Sequence, residues 1–363
     1  MGKIKVIVID DSFFMRKLLS DILNSDSKIE VVATAKDGKI GLERIKELKP
    51  DVVTLDYLMP GWNGLTTLKM IMKEQPTAVV MVSTHTKKDA PITLECLKNG
   101  AIDYVLKPSG SISWDIEQVK EELLKRVKAA AEVDLKKLEA LLKNKAKALV
   151  FKPRVLVREK VVAIGASTGG PAVLELILKA LPKNMPSAIL IVQHMSKVFT
   201  KSFAERLDRA CQVKVKEAED GEAVIPGTVY IAPGGQHMAV ERKQIKEEIN
   251  PVRNQRFLNG VKAIINLSKN PPVNEARPSV DVLMESVAEV YGENAIGIIL
   301  TGMGSDGVEG LGVIGKAGGE TIAQDENSSL IFGMPKRAIE KNVVDEILPS
   351  GRIAGRILRL LTR

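Results

Sequence analysis

Ile4-Lys-Val-Ile-Val-Ile-Asp-Asp11 and Val161-Val-Ala-Ile-Gly-Ala-Ser167-Thr-Gly-Gly-Pro171 decide the fold class. Each is a short, nearly all-apolar, β-branched run that stops abruptly at polar or glycine residues. A run of that length fits a strand covered on both faces, as in a parallel sheet. Each is followed by apolar residues at helical spacing, in Met15–Leu23 and Val173–Leu181. The unit is strand, turn, helix.

The unit repeats in both directions from these stretches. Up to about residue 125 the strands are Ile4–Ile9, Glu30–Ala33, Val52–Leu55, Val79–Val82 and Tyr104–Leu106, with helical patterns at Gly41–Leu48 and Leu65–Lys73 between them. From Val161 they are Val161–Ile164, Ala188–Val192, Val213–Val215, Val229–Ile231, Ile296–Leu300 and Thr321–Ala323, with a helix at Val282–Val290. Strands interleaved with helices predict two α/β domains with mostly parallel sheets. Between them, Trp114 to about Leu149 lacks Gly and Pro and carries Ile116, Val119, Leu123 and Val127 at helical spacing. It reads as the last helix of the first domain running into a helical, basic linker that Pro153 ends. The expected division is residues 1–125, a helical basic linker over 126–158, and 159–363. Glu241–Gly260 is polar and irregular, a long hairpin or surface excursion.

A length of 363 residues suits about two domains. With 45% hydrophobic and 27% charged residues the chain is neither disordered nor collagen-like. The net charge of +8 raises nucleic acid or a membrane surface as partners. However, residues 136–160 hold nine basic residues against Glu139 and Glu159, a net +7 that leaves +1 for the rest. Neither domain is then a basic binding surface, and no nucleic-acid partner is expected. Cys96 and Cys211 form no metal-spaced cluster and fit a reducing compartment. No run of about 18 apolar residues exists and the N-terminal run is too short for a signal peptide. A cytoplasmic protein without membrane insertion is expected.

In a doubly wound sheet, ligands bind beyond the carboxyl ends of the strands. Asp10 and Asp11 end the first strand, Asp56 the third and Ser83 the fourth, and Lys107 follows the fifth. Three carboxylates brought together need a cation, and oxygen-only ligands suit Mg²⁺. A carboxylate beside Mg²⁺ and a lysine is the arrangement an aspartyl-phosphate requires. Asp10-Asp11, Asp56 with Met59-Pro60, Ser83, and Tyr104 with Lys107-Pro108 resemble the receiver domain of bacterial response regulators. The resemblance implies a flavodoxin-like receiver with Asp56 as phosphoacceptor. It further implies that Asp10, Asp11, Asp56 and the carbonyl of Leu58 hold Mg²⁺, and that Tyr104 is a switch residue. Ser83, with Thr84 beside it, stands where the family has Ser or Thr.

In the second domain, Gly165-Ala-Ser167-Thr-Gly169 satisfies G-x-S-x-G, which exposes a serine on a sharp turn over a sheet. A glycine-rich turn could instead cradle a phosphate, but there is no G-x-G-x-x-G, no P-loop lysine and no acid ending the next strand. That strand ends in His194. A serine hydroxyl needs a general base, and His194 competes for this role with His237 on the bent loop Pro233-Gly-Gly-Gln-His237. His85 reads as a surface residue. An orienting carboxylate is offered by Asp306, after the strand Ile296–Leu300, or by Asp281 at a helix start. The order Ser, His, Asp is not the Ser, Asp, His order of α/β-hydrolases.

Gly165–Pro171, Val192-Gln-His194-Met, Glu217-Ala-Glu-Asp-Gly221, Ile231-Ala-Pro-Gly-Gly235, Arg277-Pro-Ser-Val-Asp281 and Thr301–Gly307, joined to a receiver, resemble the chemotaxis protein-glutamate methylesterase family over nearly the whole chain. The resemblance implies Ser167 as nucleophile, His194 as base and Asp306 as its orienter, with Thr168 and the N–H of Met303 supporting the oxyanion. It implies hydrolysis of glutamate methyl esters on methyl-accepting chemotaxis receptors, deamidation of selected receptor glutamines, and no cofactor for the esterase reaction. It also implies that a chemotaxis histidine kinase phosphorylates the receiver, which otherwise covers the esterase site. The Glu241–Gly260 stretch is longer than the family's, and the basic linker is not a family motif. Two other classes compete. A DNA-binding regulator would need a helix-turn-helix reader, and the second half is strand-rich instead. A non-catalytic receptor adaptor would lose nothing on Ser167→Ala.

Overall fold

The computed structural model describes residues 2–83, 90–107, 116–144, 149, 160–245 and 260–362. The chain forms two compact units, residues 1–145 and 146–363.

In the first unit, strands β1 (Ile4–Ile9), β2 (Ile29–Ala35), β3 (Val52–Asp56), β4 (Ala78–Ser83) and β5 (Asp103–Leu106) alternate with helices α1 (Phe13–Asn24), α2 (Gly38–Leu48), α3 (Gly64–Glu74), α4 (Ala90–Lys98) and α5 (Ile116–Ala131). The strands pair in parallel in the order β2-β1-β3-β4-β5. This is the flavodoxin-like order, with its switch point between β1 and β3. Helices α1, α2 and α3 start where Ser12, Asp37 and Asn63 accept a backbone N–H from the residue three positions on.

The helical stretch beyond Trp114 is not one continuous helix. Helix α5 stops at Ala131 and α6 (Leu135–Lys143) begins anew, with the side chain of Asp134 accepting from the N–H of Lys136. An aspartate that caps a new helix competes with the old one for the backbone, so the chain breaks without Gly or Pro. Residues 145–148 and 150–159, which carry most of the basic stretch and Pro153, lie outside the described residues, as do Thr84 and His85.

In the second unit, strands β6 (Val161–Ala166), β7 (Ala188–Gln193), β8 (Lys214–Glu217) and β9 (Thr228–Ile231) surround helices α7 (Gly170–Ala180) and α8 (Lys197–Ala210). A hairpin of β10 (His237–Ile245) and β11 (Gly260–Ser268) follows, paired antiparallel from His237↔Ser268 to Ile245↔Gly260. The hairpin therefore opens before the polar excursion does, and residues 246–259 lie outside the described residues. Helix α9 (Val280–Tyr291), β12 (Ala295–Ile299), α10 (Val308–Lys316), β13 (Glu320–Gln324), α11 (Met334–Glu340), β14 (Glu346–Leu348) and α12 (Ser350–Leu360) complete it. The main sheet is parallel throughout, in the order β14-β13-β12-β6-β7-β9-β8. Because β6 has β7 on one side and β12 on the other, the switch point lies at the end of β6. Ser167 stands there.

Candidate active site

Ser167 is the first residue past β6. Its N–H donates to the carbonyl of Thr301 (3.0 Å), and its own carbonyl accepts from the N–H of Gly170 (2.8 Å) and from Nε2 of Gln193 (2.8 Å). Gly169, at φ +78°, occupies the left-handed region and lets α7 start at once, with Pro171 in its first turn. The serine is only 7% exposed. The segment after β12 packs closely against it. A Cβ built on Gly302 would lie 2.6 Å from Cβ of Ser167. Glycine is required by this close approach. Met303 is the next residue along this segment. Thr168 is buried, and its carbonyl accepts from the Thr301 hydroxyl (3.0 Å), locking the two segments together.

His194 follows β7, its N–H bonded to the carbonyl of Ala166 (2.9 Å). Its Nε2 lies 2.7 Å from Oδ2 of Asp306. Asp306 is buried and receives three further donors from the start of α9: the Ser279 hydroxyl (2.7 Å) and the N–H of Asp281 (3.2 Å) on Oδ1, and the N–H of Val280 (2.7 Å) on Oδ2. Burial works to raise its pKa, but His194, Val280 and Ser279 outweigh burial and hold the carboxyl below the usual range. An anion at a helix N-terminus gains from the helix dipole as well.

The rivals are placed elsewhere. Asp281 sits in the first turn of α9, where Oδ1 accepts from the N–H of Gly310 (2.7 Å) and Oδ2 from Nδ2 of Asn274 (2.6 Å). Burial, with the charge of Asp306 adding to it, pushes this carboxyl up to about 6. His237 is buried at the start of β10 and spends both ring nitrogens, on the N–H of Ser279 (3.2 Å) and the carbonyl of Pro271 (3.0 Å). Sequence reasoning passed over Ser279. A serine after proline at a helix start is an N-cap signature, and Arg277-Pro-Ser-Val-Asp281 contains it.

In the first unit, carboxylate oxygens of Asp10, Asp11 and Asp56 lie within 4.8 Å of one another. Nζ of Lys107 bridges Oδ2 of Asp10 (2.7 Å) and Oδ2 of Asp56 (2.8 Å). Burial raises the Asp56 carboxyl to about 6 against the pull of Lys107, with the charge of Asp10 adding to the rise. Lys107 moves upwards, burial being overcome by Asp56 and Asp10. Oδ1 of Asp56 is buried without a hydrogen-bond partner among the described residues. One ammonium is thus shared by two of the three carboxylates while a lone pair stays unsatisfied, a donor set that fits Mg²⁺. Ser83 bonds the Thr93 hydroxyl (2.9 Å) and its carbonyl takes the N–H of Lys107 (2.7 Å), while Tyr104 is buried in β5. Leu58 lies two residues past Asp56 with its side chain exposed.

A flavodoxin-like sheet with an acidic pocket, and a second parallel sheet with Ser167 at its switch point and a His194–Asp306 pair, define a class, a response regulator with a hydrolase output domain. Residues 6–113 match the response regulator receiver domain family and residues 162–357 match CheB methylesterase. The protein-glutamate methylesterase/protein-glutamine glutaminase of Thermotoga maritima is 45% identical over 359 residues, covering 99% of this chain and 98% of that one. That of Pyrococcus abyssi is 44% identical over 362 residues, covering 98% and 93%. The crystal structure of the Thermotoga maritima CheB methylesterase catalytic domain, 42% identical, superposes with a TM-score of 0.50 over 56% of this chain and 100% of that one. The chain belongs to the CheB methylesterase family and carries a receiver domain.

Proposed function

We propose that this methylesterase hydrolyses γ-methyl esters of receptor glutamates through Ser167. The observation that carries the reading is the His194–Asp306 pair at the switch point where Ser167 follows β6. Because Asp306 occupies Nε2 of His194, the serine proton goes to Nδ1 as Oγ attacks the ester carbonyl. The N–H of Met303, with Thr168 in support, faces the oxyanion. His194 returns the proton to departing methanol, and water, deprotonated by His194, hydrolyses the acyl-enzyme to the free carboxylate. With a glutamine substrate the same steps release ammonia, so deamidation is expected too.

Asp56 is the phosphoacceptor in this reading, with Lys107 and Ser83 on the phosphoryl oxygens and Tyr104 as the residue that senses them. Asp10, Asp11, Asp56 and the carbonyl of Leu58 would hold Mg²⁺, which supplies charge neutralisation for phosphoryl transfer. Residues 1–125 are then the regulatory domain, 126–158 the linker and 159–363 the enzyme. The phosphodonor is a chemotaxis histidine kinase and the substrates are methyl-accepting receptors. Among the described residues no helix is long and apolar enough to cross a membrane, and both cysteines are free, which supports a cytoplasmic site of action.

The test is methanol release from methylated receptor, with and without acetyl phosphate. Ser167→Ala should lower the rate by about four to six orders of magnitude. Undiminished release would leave the non-catalytic adaptor as the better reading. Equal release with and without acetyl phosphate would remove only the phosphorylation control.

A further inference from the structure

The carboxylate of Asp306 is anchored differently at its two oxygens. Oδ2 takes His194 and the N–H of Val280, both at 2.7 Å. Oδ1 takes the Ser279 hydroxyl at 2.7 Å and the N–H of Asp281 at a weaker 3.2 Å. A serine hydroxyl has one proton. Ser279 spends it on Asp306, while its helix-capping role, accepting from the N–H of Val282, is stretched to 3.5 Å. The residue therefore serves Asp306 more closely than it serves the helix.

Ser279 is itself held. Its backbone N–H points at Nδ1 of His237 (3.2 Å), whose Nε2 points at the carbonyl of Pro271 (3.0 Å). A backbone N–H only donates and a carbonyl only accepts. Nδ1 must then be bare and Nε2 protonated, which fixes one tautomer of a neutral imidazole. Ser279 is fully buried and His237 1% exposed, so neither has water as a substitute partner. The slot is tight: a Cβ on Gly165 would lie 2.3 Å from Cγ1 of Val280, so the start of α9 has no room to drift towards β6.

We infer that Ser279 and His237 are positioning residues for the esterase reaction, the neutral imidazole of His237 fixing the Ser279 backbone and the Ser279 hydroxyl fixing the Asp306 carboxylate that aligns His194. This rests on the assignment of Ser167, His194 and Asp306 above.

The experiment uses the full chain with acetyl phosphate. It measures kcat and KM for methanol release and the rate at which a fluorophosphonate inactivates Ser167. Ser279→Ala should lower kcat about 10- to 100-fold, the loss of one charge-assisted hydrogen bond, with KM nearly unchanged and inactivation slowed in proportion. His237→Phe should do the same. His237→Gln should retain most of the activity, because its amide oxygen accepts from Ser279 and its NH₂ donates to Pro271. If His237→Phe does not fold, Ser279→Ala and His237→Gln carry the test. The double variant Ser279→Ala/Asp306→Asn should be no slower than Asp306→Asn alone, since Ser279 acts through Asp306. Full kcat in Ser279→Ala, or a loss that multiplies in full onto that of Asp306→Asn, would overturn the inference. A folded His237→Gln as impaired as His237→Phe would overturn the part assigned to a neutral imidazole. If Asp306→Asn keeps full activity, the assignment of the site itself fails. If Asp306→Asn is impaired and Ser279→Ala is not, only the positioning role fails.

Discussion

Gly302 and Ser167 are separated by 135 positions in sequence, yet a single methyl group decides whether they can coexist. Added at Gly302, it would lie 2.5 Å from Sδ of Met334 and 2.6 Å from Cβ of Ser167. The methionine can swing away, but the serine is fixed by its bonds to Thr301, Gly170 and Gln193. Gly302→Ala should therefore displace Ser167 or the N–H of Met303. A misplacement on the order of 1 Å costs about 10²-fold in kcat. Near-normal methanol release by this variant would mean that the oxyanion is held elsewhere. Ser167 and His194 were open to a sequence reading because each follows directly on an apolar strand, and Asp306 because it stands in the glycine-rich segment after another, at the same end of a parallel sheet. Ser279 and Gln193 were not, because their part in the site lies in whom they bond. Ser279 meets an acid 27 positions away, and a serine at a helix start carries no mark of that partner.

Helices α9 and α10 exchange carboxylates at their N-termini. Asp306, just before α10, takes N–H groups of α9, while Asp281, in the first turn of α9, takes the N–H of Gly310 in α10. The two acids respond oppositely. Asp306 is held below its ordinary range, so its contribution to stability is present above the unfolded pKa of about 4 and is lost as the pH falls below that value. Asp281 is raised to about 6, so the folded protein keeps a proton that the unfolded chain releases near pH 4. Stability from this group is full at acid pH and declines as the pH rises from about 4 to about 6. Asp281→Asn removes that decline. Its amide oxygen still accepts from Gly310, and Asn274 can turn its own amide to accept from the new NH₂. Thermal melting of both proteins from pH 4 to 7 should show the variant gaining on the parent across that window. Parallel curves would mean that Asp281 ionises normally. Sequence reading placed an acid at this helix start but not its bond across to the next helix. At the same scale it missed β14, whose three residues are too few for a periodic signal, and the break before α6, where Asp134 does what a glycine or proline would have announced.

Across the whole chain, the two sites draw on separate residues. The hydrolytic groups lie between Ser167 and Asp306, and the acidic pocket between Asp10 and Lys107. The charge excess that first pointed to polyanions belongs to residues 136–160, so neither site is built on it. Proton transfer by His194 and attack by Ser167 need no divalent cation in the proposed mechanism. Transfer of a phosphoryl group to Asp56 brings more negative charge into a pocket where three carboxylates gather and Lys107 pairs with two of them. Removing divalent cations with EDTA should therefore abolish the response to acetyl phosphate and leave unstimulated methanol release within about twofold. Asp56→Asn should behave in the same way, and combining it with EDTA should add nothing, because both act on one event. Loss of the unstimulated rate in EDTA would place a metal-dependent step in the hydrolysis itself. A response to acetyl phosphate that survives Asp56→Asn would move the phosphorylation site elsewhere on the chain.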